Sequence, residues 1–287
     1  MKTISHQQVL NAFAKTPMMV REFHEVFEHP ARLHDDMTCS LDERRAMERV
    51  GYVTEECLEG LLAALAGNRE EALDAVGDIA YFLAGNLVEC GAAYPGELAG
   101  MMTDLMDSNE NDLCIKRVQK HLEKAAWDRY LAQFFIGMNA SISNLFIEAV
   151  DPEAPIETSV VETLQPSAAM LMSALFVMGA VFEVDPLEVM SEIHSANMSK
   201  LLPAYLPDET ACLQYMIHNG TPTPYTELDF YRIDDGRWIA KNVNTRKVVK
   251  NPCFDKPDIK QFVTYPEKSA AELLQAHSEM AFSMLKG

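Results

Sequence analysis

The sequence predicts a mainly α fold, a helical bundle built from a tandem, asymmetric duplication, with a small C-terminal β-hairpin or meander. Three observations predict it. Apolar residues recur at helical spacing through most of the 287-residue chain, and strand-like alternation is confined to residues 228–250. Two stretches align on one another, GDIAYFLAGNLVECGAAYPGELAGMMTDLMDSN and AMLMSALFVMGAVFEVDPLEVMSEIHSAN, so that Gly85 meets Gly179, Pro95 meets Pro186 and Asn109 meets Asn197. Residues 40–91 read as two helices joined by a Gly-Asn turn, with carboxylates set into otherwise apolar faces.

Taken in order, residues 6–15 predict a short helix stopped near Pro17, and MMVREFHEVFEH a second one ended at Pro30. A polar linker follows, in which His34-Asp35 reads as an ordinary loop pair rather than a metal motif. Ser40 with Glu43 is a capping-box signature that starts a helix running to about Ala66, closed by Gly67-Asn68. Residues 69–90 form the next helix, closed by Gly91. A shorter helix is predicted in GELAGMMTDLMD and further helix between 113 and 150. The charge-poor run 167–182 is shorter than the ~20 residues a bilayer span needs, and is read as a buried bundle helix. Asp185-Pro186 starts another helix, and Asp208 caps one that ends at Asn219-Gly220. LDFYRID, DGRWIAKNV and TRKVVKN predict the hairpin or meander, and residues 267–286 a closing amphipathic helix.

Composition excludes some functions. With 24 basic against 43 acidic residues, a net charge of −19, the chain repels phosphate backbones, so no nucleic-acid polymer is expected as partner. A small phosphate ligand is still allowed, because a bound divalent cation reverses the local sign. Neither a signal peptide nor a membrane partner is expected, and the six cysteines (Cys39, Cys57, Cys90, Cys114, Cys212, Cys253) lack CxxC spacing. A cytoplasmic protein with reduced thiols, Cys57 and Cys90 in its core, is the expectation.

Candidate site residues follow from the helical hairpin. Glu56 and Glu59 lie about 60° apart around the first helix, Glu55 and Glu59 about 40°, and Asp74 and Asp78 about 40° around the second, with Glu71 in their sector. Leu58, Leu61, Leu62 and Leu65 are read as the packing side of the first helix, and Ile79, Phe82 and Leu83 as that of the second. Antiparallel pairing brings the acidic groups face to face, and four oxygen donors from two helices suit octahedral Mg²⁺ or Mn²⁺. The competing reading is a solvated acidic face. In the aligned repeat Asp78 meets Met172, Asp74 meets Ala168, and EECLEG falls near Asn139–Ser143, so only one half keeps the acids. The expected division is residues 1–112 as the metal-carrying repeat and 113–287 as the degenerate one.

EECLEG followed by LDAVGDIAYFL resembles the EExxE and ExxD motifs of the all-α nucleoside triphosphate pyrophosphohydrolases, the MazG-like and phosphoribosyl-ATP pyrophosphohydrolase-like group. REFHEVFEHP is similar to the opening, and HSANMSKL with DGRWIAKNVNTRKVVKNPCFDKPDI to the closing segment, of smaller bacterial and phage members. The resemblance implies Mg²⁺-dependent cleavage of a nucleoside triphosphate between the α- and β-phosphates, in control of nucleotide pools. It implies Glu56, Glu59 and Asp78 as metal ligands, and Glu55 as the group that orients or activates water. The ExxD motif is broken, because Ala75 stands where the signature has Glu. Asp74 is read as the replacement ligand, with Glu71 behind it.

The same resemblance makes Asn197 and Lys200 phosphate contacts. Arg49 is read either as another phosphate contact or as one side of a surface ion pair. Asn86 is read as a ribose or base contact or as a buried amide. His24 and Phe27 are read as base contacts or, for Phe27, as core. His194 is read as packing or capping. The second repeat is expected to complete the first repeat's site, and dimerisation of the whole chain is left open. Two rival readings stand: another metal-dependent nucleotide phosphohydrolase, and a non-catalytic nucleotide-binding or interaction protein.

Overall fold

The computed structural model describes residues 4–33, 43–92, 127–150, 160–221 and 224–263. Among them are α1 (His6–Val26), α2 (Glu43–Ala66), α3 (Arg69–Glu89), α4 (Trp127–Val150), α5 (Val160–Val181), α6 (Pro186–Met198) and α7 (Glu209–His218). One antiparallel pair, β1 (Leu228–Arg232) and β2 (Trp238–Asn242), completes the mainly α fold. The Ser40 cap, His34-Asp35, the helices expected in GELAGMMTDLMD and at 267–286, and Asn109 lie outside the described residues. No single described helix is long and apolar enough to cross a membrane.

The turn between α2 and α3 follows from its sequence. Gly67 takes φ 73°, a left-handed conformation, and the Gly67 and Asn68 amides donate back to the Ala64 and Ala63 carbonyls at 3.1 and 2.9 Å. This is the double bond pattern that closes a helix on glycine. Asn68 then caps α3, its side chain accepting from the Glu71 amide at 3.3 Å. Asp185 and Asp208 cap α6 and α7 in the same way.

These short connections set the bundle. α2 packs on α3 and α4, α3 on α5, and α1 lies across α3, α5 and α6. α3 is the central element, buried over most of its circumference from Ala72 to Glu89. It shares one continuous core with Leu131 and Phe135 of α4, Leu171 and Leu175 of α5, and Phe13 of α1.

Three expectations are corrected here. α1 is a single helix with Pro17 inside it, where two helices were predicted. Pro17 removes one helical donor, at a cost of about 3 kcal/mol. Val9, Ala12, Phe13, Thr16, Pro17, Val20 and His24 nevertheless form one buried face spanning both sides of it, and that shared burial outweighs the break. On α2, Leu58, Leu62 and Leu65 are exposed, Leu62 by 68%. The packing face is instead Ala46, Arg49, Val53, Cys57, Gly60 and Ala64. Small residues win that face because α4 comes close: a Cβ on Gly60 would overlap the Phe135 ring. TRKVVKN does not form a third strand. It touches β2 through an isolated bridge between Lys241 and Val248, with Arg246 at φ 58° in the preceding turn.

The hairpin is pinned on both faces. Phe230, Trp238 and Ala240 pack with Leu202, Leu206, Cys212 and Met216, and the Trp238 indole donates to the Leu206 carbonyl at 2.9 Å. Ile239 points the other way, onto Phe27 and Leu201. The hairpin thereby sits against the C-terminal end of α1, beside the α2–α3 pair. Gly60→Val is expected to lower stability by about 2–3 kcal/mol through overpacking against Phe135. Urea denaturation followed by circular dichroism checks it, and an unchanged midpoint would contradict the close α2–α4 approach.

Candidate active site

The acidic groups of α2 and α3 face one another. Glu56 is half-buried, and burial, followed by the charges of Asp78, Glu59, Glu55 and Asp74, pushes its carboxyl up to about 8. Asp74 is pushed up to about 7 by burial, then by Asp78 and Glu71. Asp78 is raised by burial against the opposing pull of Lys200 and Lys250, with Glu59 adding to the rise. Such mutual destabilisation of the ionised forms identifies one electrostatic cluster rather than scattered surface acids. Glu55, Glu59 and Glu71 form its exposed edge.

The position of Ala75 explains the altered motif. Ala75 is 4% exposed and belongs to the core. A Glu there would be buried among apolar groups, a costly arrangement without a partner. Asp74, one residue earlier, turns to the other side and lines a cavity of about 440 Å³ together with Asp78, Glu71, Asn197, Lys200 and Lys250.

Across this cavity stand the groups of α6 and the segment after β2. The Lys200 ammonium donates to the Asn197 side chain, and burial brings its pKa down to about 8 despite the attraction of Asp78. Asn197 is 9% exposed and also bonds Tyr81 of α3. His194 pairs with the Tyr81 hydroxyl at 3.0 Å and with Glu22 at 3.4 Å, a packing role.

A second cavity of about 510 Å³ adjoins the first and shares Lys200 and Lys250 with it. Its floor is an ion-pair network that sequence reasoning missed. Glu89, 1% exposed, accepts from Arg45 and Arg49, which lie one turn apart on α2. Burial opposes ionisation of Glu89, but the Arg45 hydrogen bond and the charges of Arg49 and Arg45 hold its carboxyl below the usual range. The Arg49 pair is therefore buried, not the surface pair considered from sequence. Gly85 makes room for it, since a Cβ there would stand 2.6 Å from the guanidinium nitrogens.

His24 is committed to the same network. Burial, then Arg49, lowers its pKa to about 4, so the ring is neutral at physiological pH. Its Nδ1 donates to the Pro30 carbonyl at 2.7 Å, which leaves Nε2 to accept from Arg49 at 3.2 Å. Both nitrogens are engaged, so His24 orients Arg49 while lining the cavity.

Phe27 is corrected: it is fully buried against Leu201 and Ile239 and lines neither cavity. Phe23, one turn earlier, is the ring on the cavity wall, with Tyr52, Tyr81 and Phe82. Asn86 is a buried amide, 7% exposed, whose Oδ1 has no hydrogen-bond partner among the described residues and which lines neither cavity. Glu89 could have been found by the argument applied to Asp78, an acid inside an apolar helix. The cationic run TRKVVK in an acidic chain was the available signal for Lys247 and Lys250.

Among the described residues, no three carboxylate, imidazole or thiol groups converge to metal-ligating separation. Like charges, offset among the described residues by Lys200 and Lys250, are expected to stand apart in this way. The donor chemistry nevertheless fits a hard divalent cation. The donors are all oxygen, they come from two adjacent helices, and their ionised forms are destabilised by one another, which a cation would reverse.

Residues 20–106, which include α2, α3 and the end of α1, match the family model described as phosphoribosyl-ATP pyrophosphohydrolase. No curated protein and no solved structure matches the chain.

Two outcomes follow from the electrostatics. Glu56 and Asp74 hold protons in the native state that the unfolded chain releases near pH 4, so their contribution falls as pH rises toward 7–8. In metal-free buffer, calorimetry should show Glu56→Gln losing less melting temperature than the wild type between pH 5 and 8, and Mg²⁺ should narrow the gap. Glu89→Ala strands the buried Arg49 guanidinium, while Arg45 keeps Glu48, and should cost about 3 kcal/mol in chemical denaturation.

Proposed function

We propose that this chain hydrolyses a nucleoside triphosphate between its α- and β-phosphates, a reading supported by the match of residues 20–106 to the phosphoribosyl-ATP pyrophosphohydrolase family model. The products are nucleoside monophosphate and pyrophosphate, and the role is control of nucleotide pools. The family is one of pyrophosphohydrolases acting on nucleotide-like substrates, typically with a divalent metal. The observation that carries the finer reading is the coupled carboxylate cluster facing Lys200 and Lys250 across one cavity.

In this reading Glu56, Glu59, Asp74 and Asp78 would hold Mg²⁺, which when bound would neutralise phosphate charge and acidify water. Glu55, on the exposed edge of the cluster, accepts the proton of the attacking water. Lys200, whose burial costs its ammonium form some stability, gains a phosphate partner and is strengthened as a cation by it. Asn197 fixes the Lys200 ammonium by accepting a hydrogen bond from it. Tyr81 in turn holds Asn197, which links the phosphate-facing group to α3. The Arg45–Glu89–Arg49 network and the aromatic wall of the larger cavity offer a charged, flat-sided pocket for the rest of the nucleotide.

Residues 113–287 are read as the degenerate repeat. Support comes from the pairwise packing of α2 on α4 and α3 on α5, and from Lys200 of the later half facing Asp78 of the earlier one.

The test is product analysis across canonical and modified NTPs and dNTPs with Mg²⁺. Pyrophosphate and monophosphate are expected in equal amounts, with kcat/KM falling about 100-fold or more in Glu56→Gln and Asp78→Asn. Release of inorganic phosphate or triphosphate, or unchanged turnover in Glu56→Gln, would overturn the assignment.

A further inference from the structure

We propose that Lys247 and Lys250, in the segment after β2, form with Lys200 the subsite for the pyrophosphate half of the substrate. This rests on the hydrolase reading above and adds to it a part of the chain outside residues 20–106.

The cations around the two cavities fall into two groups. Arg45 and Arg49 are bonded to Glu89, Lys241 to Glu28 at 3.3 Å, and Arg246 to Asp229 at 3.2 Å. Lys200, Lys247, Lys250 and Lys256 line the cavities and have no carboxylate at ion-pair distance among the described residues; of these, Lys200, Lys247 and Lys250 line the larger cavity. In a chain of net charge −19, four such ammonium groups in one place are not explained by surface pairing. Lys200 and Lys250 line both cavities and Lys247 the larger one, so the three run outward from the Asp74–Asp78 wall.

Their placement is built by buried structure. Asn251, 7% exposed, donates its amide to the Lys200 carbonyl at 3.1 Å and its side-chain NH₂ to the Leu201 carbonyl at 3.0 Å. The Tyr215 hydroxyl donates to its Oδ1 at 3.1 Å. The peptide of Lys250 is thereby stitched beside that of Lys200. Lys247 is fixed through its carbonyl, which accepts from the Asn242 amide at 2.9 Å, and its ammonium lies 5.6 Å from the centre of the Tyr52 ring. Compact, rotatable ammonium groups suit a phosphate chain, whose oxygens present acceptors in several directions.

The chemistry places the need for charge there. As the water oxygen bonds to the α-phosphorus, its proton passes to a carboxylate and the bond from the α-phosphorus to the bridging oxygen breaks. The electron pair stays on that oxygen, and the pyrophosphate leaves with the added negative charge. Cations beyond the carboxylate wall stabilise that charge, while the carboxylates themselves repel it.

The experiment uses the full chain with Lys247→Gln and Lys250→Gln, both at exposed positions, and Lys250→Arg as the conservative control. Binding of inorganic pyrophosphate and of nucleoside monophosphate is measured by calorimetry in Mg²⁺ buffer. Each Gln variant should weaken pyrophosphate binding about tenfold and leave monophosphate binding within about twofold, while Lys250→Arg should largely keep the pyrophosphate binding that Lys250→Gln loses. Unchanged pyrophosphate binding, or an equal loss for monophosphate, overturns the subsite. Lysine-dependent pyrophosphate binding by a chain that releases no pyrophosphate from any nucleotide would support the subsite and sink the hydrolase reading instead.

Discussion

The structure depends on one constraint: α3 is buried on nearly every side, yet it carries Asp74, Asp78 and Glu89. An acid in such a helix has to be matched by charge brought from elsewhere. Glu89 is matched by Arg45 and Arg49 of α2, and that pairing fixes how α2 lies along α3 and where His24 of α1 stands. Asp78 is faced by Lys200 and Lys250, which arrive from the distant C-terminal part of the chain. Two solutions to one problem separate a rigid, internally neutralised floor from an open acidic cluster with charge to spare.

That separation is also what makes the site chemically useful. The charges of the Glu89 network are paired within the protein, while Arg49 Nε has no partner among the described residues. The cluster of Glu56, Asp74 and Asp78 is frustrated, its ionised forms raised in energy by burial and by one another. A cation bound there would relieve that frustration. The core itself respects the arrangement, because Ala75 keeps an apolar residue on the inward side while Asp74 turns to the cavity.

Local patterns were legible because they depend on neighbours in sequence. Gly67-Asn68 specifies its own turn, Asp185 and Asp208 specify their caps, and the spacing of Glu56, Glu59, Asp74 and Asp78 puts them on facing sectors. The misread residues all depend on what packs from far away. Pro17 was taken as a stop because its local cost is visible and the burial shared by both halves of α1 is not. Leu58, Leu62 and Leu65 looked like a packing face until Phe135 of α4 selected Gly60 and its small neighbours. Phe27 and Phe23 are one helical turn apart, and only the seat of Ile239 on Phe27 decides which ring reaches a cavity.

By itself the sequence determined a helical fold, the acidic hairpin with its turn and caps, and the likeness of residues 20–106 to one family model. These follow from helical period and short-range hydrogen bonds, which need no partner beyond a few residues. Only the tertiary structure decided that Arg49 is tied to Glu89, that His24 is neutral and fully bonded, and that Lys200, Lys247 and Lys250 gather beside the acids. Charge pairing and burial act through space at low dielectric, and the strongest of these pairs join groups 40 or more residues apart in the chain.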